Sequence, residues 1–364
     1  MPSNPFTSGK AYRKTFRGRH SKSTTNLESS PLGSTLLTVL SLVIITILFT
    51  VPFVVSRRIF PSSRVASTLF GGSKMRVSTA SGNGNNIDPM VAQPYQLLQK
   101  TKLSSDSYLL RYAIEGRSIL GKDSKIPTCI KVDYNEDSKE GGIKLSKSYS
   151  PITHPETEGT FDLIVKSYPL QPGGGVGKYL CDMQVGDSIT ATLKKERMMH
   201  GSPVVEGRWK HVGLIGGGTG VAPLLQLARI ILDSSYDTTI HLLFINRHDD
   251  DILGKSIIDQ MVVDHPKQFF VTYSLTGRGT DTQYETGRGT VDMARRALPP
   301  PFSGKGESDT MVFICGKDGF VAHWGGPVGR GPPKADGSKG PKVQGPLDGV
   351  LKEAGYTVEQ VFKY

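Results

Sequence analysis

The chain has 364 residues, a formal net charge of +11 and 37% hydrophobic residues, enough for two ordinary domains that each bury a core. Nearly half of the charge excess sits in residues 1–33, where Lys10, Arg13, Lys14, Arg17, Arg19 and Lys22 face Glu28 alone; no basic stripe interleaved with aromatics follows, which argues against nucleic-acid binding. Cys129, Cys181 and Cys315 are odd in number and lack metal-ligand spacing, which argues against a disulfide framework or structural zinc.

The first element after the basic leader is apolar. Leu36 to Val55 carries no charge and would run about 30 Å as a helix, enough to cross a hydrocarbon core. It predicts a single-pass transmembrane anchor over 34–56, in preference to a cleaved signal peptide or a buried core helix. Lys14, Arg17, Arg19 and Lys22 on one side are matched by Arg57, Arg58, Arg64 and Lys74 on the other, so the charge rule chooses no orientation. The leader is Ser- and Arg-rich and acid-poor, similar to a mitochondrial targeting sequence ahead of a membrane stop; a cytosol-facing anchor in the endoplasmic reticulum is the alternative. Residues 57–92, rich in Gly, Ser and Asn, predict a flexible tether.

Residues 93–208 alternate short β-prone runs with turn residues, at Tyr108 to Ile114, Ile130 to Tyr134, Phe161 to Tyr168 and Ser188 to Leu193, which predicts an antiparallel β-barrel. Phe161, Leu163 and Val165 share one strand face, and Lys166 emerges near the strand end. In the run Lys147-Ser148-Tyr149-Ser150-Pro151, an extended backbone puts Lys147 and Tyr149 on the same side, so a cation can hold a pyrophosphate while a phenol lies along a flat ring. Taken alone, that run reads as an ordinary loop. The cluster Gly173-Gly174-Gly175-Val176-Gly177 opens a short helix and offers free N–H groups to phosphate; a plain hairpin loop is the alternative.

From 209 to 364 the pattern becomes apolar strands alternating with amphipathic helices, the signature of a parallel α/β sheet. Strands are predicted at His211 to Ile215, Ile240 to Ile245, Phe269 to Ser274 and Met311 to Cys315, and a helix over Val221 to Leu232 with Pro223 in its first turn. Gly216-Gly217-Gly218-Thr219-Gly220 lies between the first strand and that helix, where dinucleotide phosphates meet a helix N-terminus. It departs from GxGxxG, and Asn246-Arg247-His248 rather than an acid ends the second strand, so an ordinary Rossmann dehydrogenase is disfavoured. Cys315-Gly316 ends the last apolar strand at the same rim as Thr219; the default reading of such a cysteine is a small hydrophobe.

Taken in order, these motifs resemble the ferredoxin-reductase-like flavoenzymes, and among them the NADH-cytochrome b5 reductase family, whose carboxyl terminus the segment from Gln344 to Tyr364 also resembles. The resemblance implies FAD on the barrel, a nicotinamide nucleotide on the α/β module and hydride transfer in the cleft between them. It assigns Lys147, Tyr149, Ser150 and Pro151 to the flavin-binding motif, Ile164, Val165 and Lys166 to the strand at the cofactors, and Gly174, Gly175, Val176 and Gly177 to the flavin phosphates. Gly217, Gly218, Thr219 and Gly220 then meet the nicotinamide nucleotide, with Thr219 and Cys315-Gly316 around the reacting rings as the catalytic pair.

Three departures stand out against that family: Lys147 for its arginine, Gly177 for its serine, and Cys315-Gly316-Lys317-Asp318 for Cys-Gly-Pro-Pro. Lysine keeps the charge but loses the bidentate fork. Thr276 and Arg278 stand where the family carries an acid that selects NADH, which predicts that NADPH is also accepted; an exposed turn arginine is the alternative. Gly325 to Gly345, rich in Gly and Pro, predicts a mobile surface loop. The expected acceptor is a haem protein, above all cytochrome b5. The alternatives are a same-fold reductase serving a desaturase or monooxygenase, and a membrane-tethered nucleotide-binding protein without turnover.

Overall fold

A computed structural model describes residues 91–364 except 117–118, 121–127, 136–143, 169–174, 195–207, 235–236, 278–282, 302–308, 334, 336, 338–339 and 341. The basic leader, the expected anchor, the tether up to residue 90, Gly174 and Arg278 therefore lie outside the described residues. Among the described residues no helix is long and apolar enough to cross a membrane.

The first module is a six-stranded antiparallel sheet in the order β4-β3-β6-β1-β2-β5, with β1 Gln93–Ser104, β2 Ser107–Ala113, β3 Ile130–Asn135, β4 Lys144–Tyr149, β5 Thr160–Lys166 and β6 Ser188–Leu193. Tyr95, Leu97, Leu110, Tyr112, Val132, Phe161, Leu163 and Val165 form its core. Arg111 sits opposite Asp162 across β2 and β5 and grips it through two hydrogen bonds of 2.7 and 2.8 Å.

The expected closed barrel is not what forms. Among the described residues β4 and β5 are the two edges of the sheet and share no ladder; the chain just after β4 reaches β5, where the Ile152 N–H donates to the Asp162 carbonyl at 2.9 Å. Pro151 explains the break, because it has no N–H to continue a ladder. Helix α1, Gly175–Asp182, packs against β3, β4 and β5 instead, and Cys181 Sγ lies 3.8 Å from the Val165 carbonyl.

Strand β5 is buried on both sides, as its near-continuous burial records. Its odd residues Phe161, Leu163 and Val165 face the first core, whereas Ile164 belongs to the core of the second module. Period-2 alternation puts Asp162, Ile164 and Lys166 together on that second face. One strand thus serves as wall for both modules.

The second module is a parallel sheet in the order β10-β9-β8-β7-β11-β14, built from β7 His211–Gly217, β8 Thr239–Asn246, β9 Phe269–Leu275, β10 Glu285–Thr286, β11 Thr310–Cys315 and β14 Val361–Lys363. Helices α2 Val221–Ser234 and α3 Lys255–Asp264 contribute to one core, and α4 Val291–Ala297, α5 Asp318–Gly325 and α6 Val350–Glu353 to the other. Helix α2 is the best buried of these: Leu224, Leu225, Leu227, Ile230 and Ile231 are all inside, each contributing about 1.5–3 kcal/mol of apolar burial. Thr290 caps α4 by accepting the Met293 N–H at 3.1 Å. The order reverses beside β7, whose neighbours are β8 on one side and β11 on the other, which is the switch point where such sheets receive ligands.

The segment expected to be a mobile loop is tied at both ends. It holds a small hairpin, β12 Gly329–Arg330 with β13 Lys342–Val343. The buried Lys363 ammonium lies 2.8–3.3 Å from the carbonyls of Gly325, Pro327, Gly345 and Pro346. Four carbonyl dipoles compensate a charge that burial would otherwise make costly.

Candidate active site

The carboxyl rim of β7 carries the glycine turn. Gly218 has φ of +55°, a left-handed conformation that only glycine adopts without strain, and it starts the turn Gly218–Gly220 that leads into α2. Cys315 pairs with Gly216 across β11 and β7. A side chain on Gly220 would collide with the Cys315 carbonyl, so the glycine is what lets the two strand ends meet. Phe320 of α5 packs beneath both motifs: a Cβ would lie 3.1 Å from its ring at Gly217 and 2.5 Å at Gly316. Thr219 and Cys315 are both half-exposed at this rim.

Across from it lies the first module's share. The Gly218–Gly220 turn contacts β5, the strand that carries Ile164, Val165 and Lys166. Lys166 Nζ reaches Asp106 Oδ2 at 3.0 Å and Asp251 Oδ1, in the other module, at 3.7 Å. Partial burial alone would raise the Asp106 carboxyl, but hydrogen bonds from Lys166, Ser107 and Ser104 hold it below its ordinary value.

Lys147 and Tyr149 do share a side of β4: the ammonium lies 5.6 Å from the Tyr149 ring centroid. It also lies 5.2 Å from the Tyr168 ring, which Lys317 approaches from the second module at 5.6 Å. Tyr168 therefore sits between the cation of the flavin motif and the cation that follows Cys315-Gly316. Burial lowers the Lys147 pKa and raises that of Tyr149, so the phenol stays protonated and able to donate. Its hydroxyl is buried with no partner. Gly177 seats α1 beside it, since a Cβ there would lie 2.7 Å from the Lys166 carbonyl and 3.7 Å from the Tyr149 hydroxyl.

These features fit both cofactors. An unused phenol donor, a cation paired with no described carboxylate and a helix start held close by glycine suit a flavin and its phosphates. On the nucleotide side Asn246, 6% exposed at the end of β8, has neither its amide donor nor its acceptor satisfied, which suits a polar dinucleotide. Thr276 is exposed at the end of β9, where its N–H donates to the Asn246 carbonyl at 2.9 Å; it stands two strands from β7 and apart from Cys315. Ser150 and Pro151 follow β4 directly, half-buried and buried. Gly175, Val176 and Gly177 form the first turn of α1.

Sequence reading missed Tyr168, Phe320, Lys317 and Gln226. Gln226 alone left a local signal: it is the one amide in the apolar run Val221 to Leu232, and a polar side chain there must find a partner.

Comparison with known proteins agrees with this division. Residues 94–193 match the family described as oxidoreductase FAD-binding domain, and residues 214–324 the oxidoreductase NAD-binding domain. An NADH-cytochrome b5 reductase-like protein of Arabidopsis thaliana is 32% identical over 273 residues, covering 74% of this chain and 76% of its own length. NADH-cytochrome b5 reductase 2 of Mus musculus is 29% identical over 297 residues, covering 76% and 96%. In fold, the cytochrome b5 reductase domain of Ulva prolifera nitrate reductase matches with a TM-score of 0.58 at 23% identity, over 76% of this chain and 98% of that one.

An antiparallel FAD-binding sheet joined to a parallel NAD-binding sheet, with the glycine turn of the second against β5 of the first, defines an oxidoreductase that uses FAD and NADH. Within that class the chain belongs to the NADH-cytochrome b5 reductase family.

Proposed function

We propose that this reductase takes electrons from NADH through FAD and delivers them singly to a haem protein, cytochrome b5 in the first instance, while a helix over residues 34–56 tethers it to a mitochondrial or endoplasmic-reticulum membrane. The observation that carries the reading is the meeting of the Gly218–Gly220 turn with strand β5, beside the paired Cys315 and Gly216, which sets the nucleotide turn of one module against the flavin wall of the other. When bound, FAD accepts the hydrogen and two electrons of the dihydronicotinamide as hydride and releases electrons one at a time. The residues supply alignment and charge. Lys147, Tyr149 and the start of α1 hold the flavin, Gly217 to Gly220 receive the dinucleotide phosphates, and Thr219 and Cys315 flank the reacting rings. No described feature calls for a nucleophile.

NADPH is a second donor in this reading, drawn by Arg278 to its additional phosphate. The domain limits that go with it are 93–208 for flavin and 209–364 for nucleotide.

The test is spectroscopic. Purified protein should be yellow, bleach anaerobically on adding NADH, and recover its colour as cytochrome b5 is reduced, two per flavin. A colourless protein that takes up no added FAD would end the reductase reading; a protein bleached by NADH but not reoxidised by cytochrome b5 would redirect the search to another acceptor.

A further inference from the structure

One face of α2 is polar and points at the flavin module. Gln226, Arg229 and Asp233 fall at positions i, i+3 and i+7, which share a helix face. Gln226 is fully buried. Its Oε1 accepts the Thr128 N–H at 2.8 Å, and its Nε2 donates to Thr128 Oγ1 at 2.8 Å and to the Thr153 carbonyl at 3.3 Å. A turn further on Arg229 is half-buried, its Nε inside without a partner; burial lowers its pKa against the raising charge of Asp162, and beyond it Asp233 lies 3.8 Å from His154. Thr128, Thr153, His154 and Asp162 all belong to the flavin module.

The position of Gln226 in both chains of connection is what matters. It stands six residues after Gly220, on the helix whose first turn receives the nucleotide. Thr153, which it grips, stands two residues after Pro151, on the segment that leaves the flavin motif. A single carboxamide thus ties the nucleotide turn to the flavin motif by a short path on each side. The surrounding contacts, Ile152 and Ile164 against the leucines of α2, are non-directional and leave the helix able to slide; hydrogen bonds weaken steeply with angle and do not.

Resting on the reductase reading above, we propose that Gln226 is a positioning residue for hydride transfer: through Thr128 and Thr153 it fixes how the nicotinamide carried by one module meets the flavin carried by the other. It touches neither cofactor and acts by holding α2 in register. Displacement of reacting groups by about 1 Å costs up to about a hundredfold in rate.

The experiment compares the full-length, FAD-loaded parent with Gln226→Met, which keeps length and helix propensity but makes none of the three bonds. After rapid mixing with NADH, flavin reduction in the variant should slow by about ten- to a hundredfold. FAD content and flavin reduction potential should stay as in the parent, the Kd for NADH should stay within about threefold, and the long-wavelength absorbance of the reduced protein with NAD+ should weaken. Gln226→Glu, which keeps an acceptor for the Thr128 N–H, should recover part of the rate. Parent-like reduction by the Met variant overturns the proposal. Should that variant fail to fold, Thr128→Val removes only the hydroxyl acceptor; an unchanged rate there overturns it equally, and a loss of about threefold or more supports it. A parent that NADH does not reduce overturns the reductase reading itself, whereas a reducible parent matched by its variant sinks this inference alone.

Discussion

Lys147 is an exposed residue whose ammonium leans over two aromatic rings, 5.6 and 5.2 Å from the centroids of Tyr149 and Tyr168, and so loses part of its hydration. Burial lowers its pKa, so the ammonium gains most from an anion that replaces the lost hydration. A charge-assisted hydrogen bond to phosphate is worth about 1.5–3 kcal/mol. Lys147→Ala should therefore weaken FAD binding by about ten- to a hundredfold, whereas Lys147→Arg, which offers the planar fork, should match or exceed the parent. Fluorescence-quench titration of FAD into the flavin-free variants measures this. Affinity of the Ala variant within twofold of the parent would place the pyrophosphate elsewhere.

Strands β8 and β9 present a pH-dependent element of their own. His241 stacks on Phe270, centroids 5.0 Å apart and rings 28° from parallel, and burial, aided by the charge of His211, holds its pKa below the ordinary histidine value of 6.5. Above that pH both folded and unfolded forms are neutral there and nothing is lost. As pH falls through 6.5 the unfolded chain takes up its proton first, so stability declines until the lower folded value is passed. His241→Phe keeps the stack and removes the proton; denaturant unfolding at pH 7.5 and 5.5 should show a smaller loss in the variant than in the parent, and equal losses would assign the acid sensitivity to another group. The same strands show which elements the sequence made legible. The expected limits of β7, β8, β9 and β11 lie within two residues of those found, because β7, β8 and β11 are buried on both faces and read as nearly unbroken apolar runs, and β9, only partly buried, is rich in aromatic and β-branched residues. Strand β1 was missed because, of its twelve residues, only Tyr95 and Leu97 are buried. Strand β14 is three residues long, too short for a pattern. The glycine turn and Cys315-Gly316 were legible as neighbours on one rim; Tyr168, Phe320 and Gln226 matter through long-range contacts, and no local pattern encodes a partner 98 positions away.

Across the whole molecule, shared packing should couple cofactor binding in one module to folding of the other. Ile152 and Ile164, which belong to the flavin module by chain, lie in one cluster with Leu224, Leu225, Leu227 and Phe244 of the nucleotide module, and Thr128 is bonded to a buried side chain of α2. Unfolding the flavin sheet would strip that cluster of two isoleucines and hand the Gln226 carboxamide to water, forfeiting about 0.5–1.5 kcal/mol for each of its bonds to Thr128 and Thr153. The two modules should therefore melt together. Free FAD at about a hundred times its Kd adds about 2.7 kcal/mol to the folded state, and in a chain of this size that raises the melting temperature by roughly 5–10 °C. Calorimetry of the chain from Gln93 should show one transition that moves upward as a unit when FAD is added to the stripped protein. Two transitions, of which FAD shifts only one, would mean that the apolar wall of β5 packs the modules side by side without joining their stability.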